Sequence, residues 1–117
     1  MAYDKNNIFA KILRGEIPCE AIDEDEYTLS FADINPQAPV HILVIPKGAY
    51  TDWSDFAIHA SGEEISAFLK AISRVAELTG IGETGYRVIS NIGADSHQEV
   101  PHLHMDVLGG TPIGPRG

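Results

Sequence analysis

Cysteine, basic residues and long apolar runs are all scarce in this chain, and each scarcity excludes something. A single cysteine, Cys19, cannot form a disulfide within the chain, so a reducing, cytoplasmic setting is expected. Lys and Arg together number 8 against 17 Asp and Glu, giving a formal charge of −9. That balance argues against a nucleic-acid partner, which needs a basic surface. It leaves room for a small anion held by backbone N–H groups and local dipoles. No apolar run approaches membrane-spanning length, so no membrane partner is expected. The opening MAYDKNN lacks the basic start and apolar core of a secretory signal. What is present is ordinary for a globule: 44% hydrophobic and 21% charged residues over 117 positions, enough for one domain with a core.

The pattern alternates short strands with two helices. Asn6 or Asn7 can cap a short helix over Ile8–Arg14, stopped by Gly15. Ala21–Asp25 and Tyr27–Ala32 read as a hairpin, and Asp33–Pro39 as a loop broken by prolines. His41–Ile45 suits a strand buried on both faces, and Tyr50–His59 reads as irregular. Ser61 and Glu64 form a capping box for a long apolar-striped helix ending at Gly80. Tyr86–Asn91 alternates as a strand, Gly93–Glu99 is a polar loop, and Val100–Leu108 is a final strand closed by Gly109-Gly110. The tail TPIGPRG should be extended. The fold class is therefore α+β, one domain over residues 1–117, with an antiparallel sheet of about five strands, one long helix and one short. Gly80–Gly85 spells G-x-G-x-x-G, but it follows a helix and precedes a strand, the reverse of a dinucleotide site.

Chemistry concentrates in His102-Leu103-His104-Met105-Asp106. In an extended segment the two imidazoles and the carboxylate share one face, and Leu103, Met105 and Val107 share the other. Three readings stay open on these residues. His-x-His-x-Asp supplies ligands that suit zinc or iron. It resembles the start of the metallo-β-lactamase motif, but Val107 stands where the next histidine is needed and the motif lies near the wrong end of the chain. Alternatively, a neutral imidazole attacks phosphorus and forms a phospho-histidine, with neighbours fixing its tautomer and handling the leaving-group proton. The third reading is a solvated polar strand face.

The run Gln98–Gly110 resembles the signature of the histidine triad (HIT) family, His-φ-His-φ-His-φ-φ, and its Leu108-Gly109-Gly110 is similar to the Hint branch of purine nucleoside phosphoramidate hydrolases. The likeness extends over Ile8–Ile12, Gly15–Pro18, Phe31–Lys47, Gly85–Val88 and Asn91, nearly the whole chain in order. The resemblance implies a nucleotidyl hydrolase with His104 as nucleophile and His102 and His41 in a hydrogen-bonded relay behind it. It implies Asp33 on the ribose hydroxyls, and Ile8, Phe9, Ile12, Ile17, Phe31 and Ile34 as an apolar clamp on the purine. Asn91 and the loop Gln98, Glu99 and Val100 would meet the phosphate. It implies no cofactor, no metal, and a homodimer formed through the long helix and the strand Tyr86–Asn91. The departure is Asp106, which stands in place of the third histidine. An ionised carboxylate cannot donate to phosphate, whereas a protonated one can. The outcome is either a retuned hydrolase or a nucleotide-binding protein of low turnover, and His97 is a candidate replacement donor.

Overall fold

The computed structural model describes residues 2–114. The last three residues of the tail expected to be extended lie outside them. Five strands form one antiparallel sheet: β1 (Ala21–Glu24), β2 (Thr28–Ala32), β3 (Val40–Pro46), β4 (Tyr86–Ile89) and β5 (Met105–Gly109), in the order β1-β2-β3-β5-β4. Among the described residues four α-helices accompany them, α1 (Ile8–Leu13), α2 (Trp53–His59), α3 (Gly62–Leu78) and the single turn α4 (Ile81–Thr84), with a 3-10 turn at Ala94–Ser96. The fold is the expected α+β sheet with one long helix, with two more short helices than the sequence suggested. Among the described residues no helix is long and apolar enough to cross a membrane.

The start of α3 follows from local chemistry. The Ser61 hydroxyl accepts from the Glu64 amide and the Glu64 carboxylate accepts from the Ser61 amide, so two orphan donors are satisfied together. Glu64 also accepts from the Tyr50 hydroxyl, which fastens the helix start to the β3–α2 connection. At mid-helix the Arg74 guanidinium bonds Asp23 and Asp25, tying α3 to the β1–β2 hairpin. Gly109 then closes β5 for a steric reason: a Cβ there would meet Ile81 side-chain atoms at 3.0 Å.

The sheet has an apolar cluster on each face. Ile42, Val44, Met105 and Val107 point toward α3 and pack with Phe68, Ala71, Ile72 and Val75. Leu29, Phe31, Leu43 and Ile45 point the other way and pack with Phe9 of α1. The alternation along β3, with successive residues serving opposite faces, is what a strand buried on both sides requires.

Two stretches depart from the sequence reading. Tyr50–His59, expected to be irregular, contains α2. Asp52 caps it by accepting from the Asp55 amide, Asp55 accepts from Thr51, and Phe56 anchors it, packed edge-on against Tyr50 and tilted against Phe68. The strand expected over Val100–Leu108 begins only at Met105. Upstream, Pro101 has no N–H to give, and the Leu103 amide donates to the Tyr50 carbonyl instead of β3. Its partner strand β4 correspondingly stops at Ile89, opposite Asp106, leaving Asn91 in the following loop.

Candidate active site

A cavity of about 580 Å³ opens on the α1 face of the sheet. It exists because α1 is only six residues long and covers part of that face. His41 enters from β3, Asp33 from the β2–β3 connection, and His104 and Asp106 from the start of β5. Ile8, Phe9, Ile12, Phe31 and Ile34 supply its apolar wall, and Asn91, His97, Gln98, Glu99 and Val100 its far rim. The structure thus brings together all but two of the residues singled out from sequence. Ile17 does not line the cavity; it is half-buried in the turn after α1. His102 lies behind the cavity wall, fully buried.

Backbone partners fix the tautomers of all three histidines, because a carbonyl only accepts and an amide N–H only donates. Nδ1 of His104 lies 2.9 Å from the His102 carbonyl and therefore carries its hydrogen. In the neutral ring the lone pair is then on Nε2, whose nearest charged neighbour is Oδ1 of Asp106 at 4.0 Å. Phe9 packs edge-on against the His104 ring, with centroids 5.0 Å apart, and limits its rotation. His102 donates from Nε2 to the Pro46 carbonyl at 2.9 Å and accepts at Nδ1 from the Tyr3 hydroxyl at 2.6 Å. Burial pushes its pKa down to about 4, so this ring is a neutral strut. Its carbonyl, held between these two anchors, aims His104.

His41 does not join His102. Its Nδ1 accepts from the Gln37 amide at 3.0 Å, so its hydrogen is on Nε2. That nitrogen faces Asp33 Oδ2 at 3.4 Å and Asp106 Oδ2 at 3.4 Å. Asp106 itself is mostly buried. Burial raises its pKa, the His104 and His41 rings oppose this, and the Asp33 charge adds to it.

Sequence reasoning missed two supports. Tyr3 is 99 positions from His102, and no local pattern announces their contact. The Gln98 side chain is taken up internally: Oε1 accepts from the Gly93 amide, and Nε2 donates to the Thr51 and Val100 carbonyls. It shapes the rim loop. His97 in that loop has φ 60° and ψ 39°, the left-handed region that non-glycine residues rarely occupy. Among the described residues no cluster of three or more His, Cys, Asp or Glu is arranged to hold a metal ion.

Residues 14–113 match the HIT domain. The chain belongs to that family. It is 57% identical to an uncharacterised 13.2 kDa HIT-like protein of Azospirillum brasilense, over 97% of this chain and 93% of the other. It is 41% identical to the purine nucleoside phosphoramidase of Escherichia coli (strain K12), over 95% and 92%. The crystal structure of a HIT family hydrolase from Legionella pneumophila superposes with a TM-score of 0.88 at 38% identity, covering 96% of this chain and all of that one.

Proposed function

We propose that this chain is a purine nucleotide-binding hydrolase that cleaves nucleoside 5'-phosphoramidates, or related nucleotidyl conjugates, through a covalent nucleotidyl-histidine intermediate on His104. The observation that carries the proposal is the free Nε2 lone pair of His104, aimed into a cavity that also holds Asp33 and the Phe9–Ile34 wall. The 41% identity to a purine nucleoside phosphoramidase supports the substrate class.

The base lies against Ile8, Phe9, Ile12, Phe31 and Ile34, which offer apolar contact and no hydrogen-bond code for adenine over guanine. A cis-diol donates both hydroxyls to Asp33, whose two oxygens suit that geometry. The phosphate then reaches His104 and the rim formed by Asn91 and the amides of Glu99 and Val100. A backbone cradle of this kind tolerates the acidic net charge. Attack by Nε2 splits one displacement into two. Protonated Asp106 supplies the leaving-group proton and takes it back from water in the second step. No cofactor enters this scheme.

A second reading, a nucleotide-binding protein of low turnover, is favoured by the same Asp106: when ionised it donates nothing and repels phosphate. His104→Ala separates the readings. It should abolish turnover of an adenosine phosphoramidate and leave AMP affinity within about threefold, while Asp33→Ala should weaken AMP by about tenfold or more, the scale of hydrogen bonds to a charged group. Full activity in His104→Ala would sink the covalent mechanism.

The reading places the protein in the cytoplasm, as a homodimer through α3 and β4. Leu69, Leu78, Tyr86 and Val88 leave apolar surface exposed there. Light scattering at micromolar concentration should return twice the chain mass, and a clean monomer would remove the dimer.

A further inference from the structure

His41 is buried, and its ring hydrogen, on Nε2, has no formed hydrogen bond. Two carboxylate oxygens stand 3.4 Å away, one from Asp33 and one from Asp106. Both are beyond a well-made N–H···O distance. The other oxygen of Asp106, Oδ1, is also buried without a partner and lies on the His104 side, 4.0 Å from Nε2. A neutral imidazole has a single hydrogen to give at that point. It is therefore contested between the sugar end of the cavity and the reacting end.

We propose that His41 is a positioning residue that couples sugar capture at Asp33 to proton delivery by Asp106. The proposal rests on the nucleotide reading above. With the cavity empty, the two carboxylates compete for the Nε2 hydrogen. A cis-diol that donates to Asp33 satisfies that carboxylate, and the hydrogen goes to Oδ2 of Asp106. Asp106 is then better able to leave its proton behind. In the first half-reaction Nε2 of His104 bonds to phosphorus and the P–N bond breaks. The electron pair departs on the amine nitrogen, which takes the proton from Oδ1 of Asp106. The resulting carboxylate is held by His41. In the second half-reaction water bonds to phosphorus and gives its proton to Asp106, and the P–Nε2 bond returns its pair to the ring. The coupling makes the sugar a determinant of rate as well as affinity.

The groups that face Asp106 are His104 before β5, His41 on β3 and Asp33 in the β2–β3 connection, with His97 and Glu99 across the cavity on the rim loop. Ligands that differ only in the sugar change one of these contacts. The test is a carboxyl ¹³C titration of Asp106 in the full chain, assigned with Asp106→Asn, under saturating AMP and under saturating 2',3'-dideoxy-AMP. The Asp106 midpoint should be lower with AMP by about one pH unit, the scale of gaining one N–H donor. The kcat of the matching phosphoramidates should follow: about tenfold faster for the ribose form, with its fall at high pH setting in earlier. In Asp33→Asn the two ligands should give one midpoint. Equal midpoints in the unmodified protein, with both nucleotides bound in the cavity, would overturn the coupling and leave the nucleotide reading intact. Failure of both nucleotides to bind would remove both.

Discussion

The two faces of the sheet are built from the same strands and do opposite things. On one, the 17 residues of α3 cover the central strands β3 and β5, and Phe68, Val75 and Val107 pack with almost no exposure. On the other, the six residues of α1 cover only part, and His41, His104 and Asp106 occupy the gap. The closed face carries cohesion. The open face carries polar groups that a sealed core would penalise, because each buried one without a partner costs about 1–3 kcal/mol. Stability held on one side leaves the other free to keep an unpartnered N–H and an unpartnered carboxylate oxygen.

Emptying the closed face should produce the largest change in stability. Phe68→Ala removes a fully buried ring between Phe56 and the strands and should cost about 3–5 kcal/mol, read from urea unfolding. Whatever folded fraction remains should hydrolyse a phosphoramidate at the ordinary rate. A loss of kcat as large as the loss of stability would mean that the faces are not separable.

The open face contributes a pH dependence instead. His102 is held neutral with its pKa lowered to about 4 against 6.5 for an ordinary imidazole. Between those values the unfolded chain binds the proton and the folded one does not. Stability therefore falls as pH drops from about 6.5 toward 4, by on the order of 3 kcal/mol from this group. Unfolding of the unmodified protein and His102→Gln at pH 7.5 and pH 4 checks it: the variant should lose less between the two. Equal losses would mean that His102 protonates in place.

A smaller effect, on rate alone, is expected at Asp106. Asp106→His places a third imidazole beside His104 and should raise hydrolysis at neutral pH by roughly tenfold, since a working acid or donor contributes about 10²–10⁴. In the unmodified protein the rate should climb as pH falls toward the raised titration of Asp106. Identical pH–rate profiles for the two forms would assign the donor role elsewhere, with His97 on the rim next in line.

What the sequence made legible tracks how local each cause is. Period-two alternation across His102–Val107 placed the imidazoles and the apolar residues on opposite faces, although the strand ladder starts only at Met105. The Ser61–Glu64 box marked the start of α3 to the residue. The start of α2 also carried a signal, Asp52 with Asp55, but one short turn of apolar residues did not outweigh an otherwise irregular stretch. Long-range register was not legible. Leu43 opposite Asp106 on the β3–β5 ladder brings the Asp106 carboxylate to His41, and only the folded sheet fixes that pairing. The contact of Tyr3 with His102 is of the same kind. The role of His41 consequently changed most between sequence and structure, from a partner of His102 to a bridge between two carboxylates.

The proposed function puts a nucleotide on the open face with its phosphorus on His104. A crystal of the protein with AMP tests it most directly. The phosphorus should lie about 3–3.5 Å from Nε2 of His104, a near-attack distance, with both ribose hydroxyls on Asp33 and the base against Phe9 and Ile34. AMP bound with its phosphate turned away from His104, or seated outside this cavity, would contradict it.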